Sequence, residues 1–149
     1  MTGQYPKIYL YKRIVQAKLF IDSHFAENID LNNISDEAYF SKFHFIRLFK
    51  KIYGKTPHQY LIFVRIENAT KLIRNGIPVS ETCHTVGFES LSSFSGLFKR
   101  MVGKNPSDYF AEQQQLKKEM LQTPLKFIPN CYVSQHGLSK NSNFEEVSL

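Results

Sequence analysis

The sequence predicts an all-α fold in which one helical unit is used twice. Three observations carry that expectation. Ser41, Phe45, Leu48, Phe49, Lys50, Gly54, Lys55, Pro57 and Tyr60 recur without a gap, 49 residues on, as Ser90, Phe94, Leu97, Phe98, Lys99, Gly103, Lys104, Pro106 and Tyr109, with Lys51 recurring as Arg100. A repeat at this period marks one supersecondary unit used twice. Apolar residues inside each copy step by three and four, the helical period. Glycine and proline fall between the periodic segments, where helices stop and start. Each copy reads as a short helix, a tight turn, a second amphipathic helix, then glycine and a proline-initiated helix, which is the layout of a helix-turn-helix.

The elements follow in order. Leu10, Ile14, Ala17, Ile21 and Phe25 share one face of a first helix over residues 8–25. Asn28 and Asp30 are turn and cap types before Leu31, and Leu31, Ile34 and Ala38 mark a short second helix. Ser41 caps a third, from Lys42 to about Tyr53, which Gly54 stops. Thr56 and Pro57 restart the chain as cap and first helical residue of a linker helix that runs to Asn75-Gly76. Pro78 opens the second unit, where Cys83, Val86 and Gly87 take the places of Ile34, Glu37 and Ala38. A helix over about 92–102, then Gly103, Pro106 and a last helix to about Met120, complete the pattern. The expected domain is 8–115, with units 8–55 and 78–115 around the linker helix 57–75, and residues 116–149 form a tail. Serine, asparagine, glycine and proline beyond Thr123-Pro124 predict an irregular tail.

In the third helix Phe45, Leu48, Phe49 and Ile52 form the apolar face, and Lys42, Phe43, Ile46, Arg47 and Lys50 lie opposite. In the repeat the apolar face is Phe94, Leu97, Phe98 and Met101, and Leu91, Ser92, Ser95, Gly96 and Lys99 point away. In a helix-turn-helix the outward face of the second helix enters the major groove, its N-terminal half nearest the base edges. The candidate DNA-binding residues are therefore Ser41, Lys42, Phe43, Ile46, Arg47, Lys50 and Lys51, with Leu91, Ser92, Ser93, Ser95, Gly96, Lys99 and Arg100. Lys50, Lys51, Lys99 and Arg100 come a turn or more later and suit phosphates better than bases. Two bland readings stand beside these: Phe43, close to Tyr39 and Phe40, fits a core as well as a groove, and the lysines fit a solvated surface.

Charge agrees with a polyanionic partner. Residues 1–110 hold 15 Lys/Arg against 9 Asp/Glu, and residues 111–149 hold 4 of each, so the net +6 sits on the repeat-bearing segment. Two distant cysteines, Cys83 and Cys131, imply no disulfide framework. The five histidines lack metal-ligand spacing, and no nucleophile–base pair or glycine-rich phosphate loop is present, so neither an enzyme, a metal nor a cofactor is expected. No apolar run reaches the ~20 residues of a membrane span, and the N-terminus lacks a secretory signal; a cytoplasmic protein is expected.

The linker from Pro57 to Asn75 spans 19 residues, about 28 Å at ~1.5 Å per residue. Two reading helices one DNA turn apart need ~34 Å. One chain is therefore expected to do what dimeric helix-turn-helix proteins do by symmetry, on an asymmetric site, as a monomer.

The stretches IDLNNISDEAYFSKFHFIRLFKKIYGKTPHQYL, RIENATKLI and VSETCHTVGFESLSSFSGLFKRMVGKNPSDYF resemble the AraC/XylS family of bacterial transcription regulators. The resemblance covers residues 10–111. Its last block is highly specific, with GFES, FK, G and P-x-x-Y in order. It implies a seven-helix domain with two DNA-binding motifs, often an activator that touches RNA polymerase. Many relatives carry a separate metabolite-sensing domain; this chain, with no room for one, resembles the stand-alone kind. It departs from the family pattern at Gly96, where arginine is frequent, and at Leu91, where a polar residue is common. The first motif is therefore expected to dominate sequence selection. A competing function is an adaptor that contacts RNA polymerase and binds DNA only non-specifically. Phe127, Ile128, Cys131, Tyr132 and Val133 make the tail's first half too apolar for a plain linker, and it reads equally as packing back, binding a partner or fraying.

Overall fold

The computed structural model describes residues 5–31 and 42–137. Among them are seven α-helices and one 3-10 turn, and no strand. Helix α1 is Tyr5–His24, α2 Lys42–Tyr53, α3 Pro57–Arg74, α4 Val79–Thr85, α5 Leu91–Val102, α6 Pro106–Gln122 and α7 Asn130–Gln135, with the 3-10 turn at Pro124–Phe127. The short second helix expected from Leu31 to Ala38, and the Ser41 cap, lie outside the described residues.

Two cores form, one for each unit. The first joins Ile14, Ala17 and Ile21 of α1, Phe45 and Phe49 of α2, and Leu61 and Val64 of α3. The second joins Ile66, Ala69 and Ile73 of α3 to Cys83, Val86, Phe88, Phe94, Phe98 and Tyr109. Helix α3 thus gives its N-terminal half to one core and its C-terminal half to the other. Phe25 packs against both.

The repeat is visible in the packing. Phe49 meets Tyr60 edge-on at 5.8 Å, and their counterparts Phe98 and Tyr109 do so at 5.5 Å. The interplanar angles are 65° and 63°. Edge-to-face rings of this kind gain about 0.5–1.5 kcal/mol beyond the area they bury. The punctuation is repeated as well. Thr56 and Gln59 close a reciprocal capping box on α3, Gln59 N donating to Thr56 Oγ1 at 3.2 Å and Thr56 N to Gln59 Oε1 at 3.0 Å. At the equivalent positions Asp108 N donates to Asn105 Oδ1 at 2.9 Å. Gly103 ends α5 in the left-handed region, φ 91°, and Gly54 follows α2 at φ 74°.

Two expectations need correction. Their phase puts Ile52 and Met101 on the apolar faces of their helices, yet they are 40% and 41% exposed. Periodicity gives the angle of a residue but not its depth, and both lie in the last turn, past the core aromatics. Helix α6 ends at Gln122, close to the expected end near Met120. The tail is not irregular up to residue 137: Thr123-Pro124 ends α6, but a 3-10 turn and α7 follow, burying Leu125 and Val133. Pro124 and Pro129 each sit just where a new helical turn begins, so the prolines that interrupt the pattern also restart it.

Helix α1 is apolar on more than its core face. Ile8, Tyr11, Val15 and Leu19 line a second, exposed stripe. No helix among the described residues is long and apolar enough to cross a membrane.

Candidate nucleic-acid interface

Helices α2 and α5 hold the candidate residues, and the folding of each unit decides which of them reach solvent. Phe45 and Phe49 are 1% and 0% exposed, and Phe94 and Phe98 are fully buried. Those anchors turn the opposite face outward. Phe43, for which core and groove readings competed, is 75% exposed. A phenyl ring left this open at the start of a helix has no core role. Lys42, Arg47, Lys50 and Lys51 are exposed with it. Ile46, placed on the outward face by its phase, is instead half-buried against the first core, at the edge of that face.

In α5, Leu91 is 48% exposed, and Ser92, Ser93, Gly96, Lys99 and Arg100 are exposed. Ser95, the counterpart of Ile46, is half-buried. Ser90 caps the helix, its hydroxyl accepting from Ser93 N at 3.3 Å. The Ser92 hydroxyl lies 2.8 Å from that of Ser90, so it is already engaged within the protein. Nothing comes within 4 Å of a Cβ placed on Gly96, which leaves that point of the surface open.

Among the described residues, Lys42, Arg47, Lys50, Lys51, Lys99 and Arg100 have no carboxylate partner within ion-pair distance, whereas Lys18 pairs with Asp22 at 2.6 Å and Lys104 pairs with Glu112. A surface cation without a carboxylate partner keeps its full attraction for a polyanion, and these six, so placed among the described residues, make a directed field on two equivalent helices. Ser41 lies outside the described residues.

Tyr60 and Asp22 brace α3 against α1, the phenol donating to Asp22 Oδ1 at 2.6 Å. Burial first, and the bond to Asp22 second, push the Tyr60 pKa up to about 12. On the second unit Arg74 Nε donates to the Tyr109 hydroxyl at 2.9 Å. Cys83 is fully buried and its thiol faces the Phe88 carbonyl at 3.9 Å. Burial raises its pKa, which suits a packing residue rather than a reactive one. No role for Arg65 is legible in the sequence, yet the structure places it between the two units.

Comparison with known proteins agrees with this geometry. A family model described as a helix-turn-helix domain matches residues 34–112, more than half of the chain. A probable transcriptional regulator, LumQ of Photobacterium leiognathi, is 36% identical over 91 residues, 60% of this chain and 37% of that protein. The MmsAB operon regulatory protein of Pseudomonas aeruginosa is 31% identical over 91 residues, 60% of this chain and 30% of its own. The match thus spans about a third of the length of these relatives. Among solved structures, the DNA-binding domain of the transcriptional factor AdpA, crystallised with a target DNA, superposes with a TM-score of 0.65 at 27% identity, covering 71% of this chain and 96% of that one. A probable AraC family regulator from Rhodopseudomonas palustris shares the fold, with a TM-score of 0.61 at 20% identity over 68% of this chain and 97% of that one. With the repeat, the two cores and the family landmarks in agreement, the chain belongs to the AraC/XylS family of helix-turn-helix transcription regulators.

Proposed function

We propose that the chain binds an asymmetric DNA site as a monomer, with α2 and α5 in successive major-groove segments, and that it activates transcription from that site. One observation carries the reading. The same exposed face, with cations in its later turns, occurs on two equivalent helices joined by one 18-residue rod, about 27 Å long. That length is of the order of the ~34 Å between like grooves.

The division of labour follows from the side chains. Arg47 can grip a guanine with two hydrogen bonds, and Phe43 can meet a thymine methyl. Leu91 offers an apolar contact, while Ser92, Ser93 and Ser95 reach less far. Lys50, Lys51, Lys99 and Arg100 serve as phosphate contacts that fix register. The second motif is then mainly a clamp that senses DNA shape.

Site selection from a random duplex pool, followed by binding at several salt concentrations, tests this. A selected duplex should bind at least ~4 kcal/mol more tightly than a random one. Equal binding of both would favour the adaptor alternative. Transcription from a promoter carrying the selected site, with purified RNA polymerase, tests the activating role.

A further inference from the structure

We infer that Arg65 and Gly87 form a clasp that fixes the angle between the two helix-turn-helix units; this rests on the proposed two-groove reading. The units share α3, but no extensive packing joins α1 or α2 directly to α4, α5 or α6 among the described residues. A single helix passing between two cores resists rotation of one against the other only through its own stiffness and their packing on it. The seam that opposes such rotation lies beside α3, where the turn after α1 meets the turn between α4 and α5.

Arg65 sits on α3 at this seam. Its Nε donates to the Phe25 carbonyl at 2.6 Å and its Nη2 to the Glu27 carbonyl at 2.9 Å. These carbonyls follow the C-terminus of α1, where helices leave acceptors unpaired and the helix dipole is negative. The same guanidinium lies over the Phe88 ring, 5.5 Å from its centre. One guanidinium therefore holds backbone of the first unit by hydrogen bonds and lies over a core aromatic of the second. Lysine, with a compact ammonium, can do only part of this.

Gly87 supplies the close approach. A Cβ there would stand 2.7 Å from the Ala26 carbonyl oxygen, and its φ is +95°. The second unit's turn is thus pressed directly against the first unit's backbone, with no room for a side chain between them. Phe25, shared by the two cores, continues the same seam.

Arg65 and Gly87 are positioning residues, and the first readout is made without DNA. Spin labels at Ile52→Cys and Met101→Cys, equivalent exposed points of α2 and α5, report the distance between the reading helices. Cys131→Ser removes the exposed thiol, and Cys83 is buried. The wild-type background should give one narrow distance distribution. Arg65→Gln and Gly87→Ala should at least double its width. Gly103→Ala is the control for backbone strain alone: its φ is +91°, and nothing lies within 4 Å of the added Cβ. It should keep the narrow distribution despite a comparable loss of thermal stability. Should Arg65→Gln fail to fold, Arg65→Lys carries the test, with an intermediate width. Unchanged widths in both clasp variants would overturn the inference. The second readout uses duplexes whose two half-sites are moved apart by two base pairs. Wild type should lose at least tenfold in affinity and the clasp variants less than threefold. Broadened distances with wild-type spacing sensitivity would support the clasp and overturn the two-groove reading instead.

Discussion

Replacing Gly96 separates what α5 costs the fold from what it gives the DNA. Gly96 lies in the interior of a 12-residue helix, is exposed, and has open space where a Cβ would stand. Its φ is not in the left-handed region, unlike those of Gly54, Gly76, Gly87, Gly103 and Gly137. Gly96→Ala should therefore recover the full propensity difference, about 1 kcal/mol. For a chain of this size that raises the thermal midpoint by roughly 2–8 °C. Circular dichroism melts and urea titrations measure it. Affinity for DNA should stay within about twofold, because the helix is formed in both free and bound states. Gly96→Arg should keep nearly the same stability gain and add a long donor at the counterpart of Arg47. A bidentate base contact would tighten binding by about 1–3 kcal/mol, roughly 5- to 160-fold, at one base pair. A phosphate contact would instead steepen the log–log salt dependence by about 0.9 with no new base preference. A Gly96→Ala protein less stable than wild type would refute the reasoning, since it would mean that a neighbour crowds the position.

The remaining predictions concern both motifs and the scaffold. Arg47→Ala should cost about 1–3 kcal/mol on the selected site and relax selectivity at one or two base pairs, and an operator scan with wild-type selectivity would show that Arg47 does not read bases. Lys50→Ala should weaken selected and random duplexes alike, lowering the salt slope by about one. Phe98→Ala should destabilise by about 3–5 kcal/mol, whereas Leu121→Ser, 85% exposed at its start, should stay within about 0.5 kcal/mol; denaturant midpoints decide both. Tyr60 has a folded pKa of about 12 against 10.0 for a free phenol. A folded pKa above the unfolded one favours the neutral form, so this stabilisation is complete below pH 10 and is lost as pH rises toward 12. Lys18, whose pKa is raised first by its bond to Asp22, adds to the same alkaline decline. Tyr60→Phe should be less stable at neutral pH and show a shallower fall between pH 10 and 12, read from unfolding free energies across that range.

The boundaries of α2 and of the linker helix were legible because their signals are local. Gly54 stops one helix, Thr56-Pro57 starts the next, and the expected span of α2, Lys42 to Tyr53, is the one observed. The family assignment was legible for the same reason, since its landmarks are short and ordered. The outward faces were only partly so. Phase placed Phe43 and Arg47 on one side, but it also placed Ile46 there and Ile52 on the opposite, apolar face. Their exposure depends on how far the neighbouring helices extend over α2. In the tail, prolines and polar residues read as the end of order, and the apolar residues among them left packing back open; the structure decides for packing, since Leu125 and Val133 find cover.

The sequence by itself determined the repeat, the helical units and the charge that favours DNA, because period, caps and turns are set by residues within a few positions of each other. The tertiary structure alone decided how the units face one another. Arg65 meets Phe25 and Glu27 across 40 and 38 positions of chain, and Gly87 meets Ala26 from farther along the chain still. Such contacts leave no periodic trace. An arginine among the apolar residues of a linker helix reads as an ordinary exposed charge until folding brings two orphan carbonyls and an aromatic ring around it.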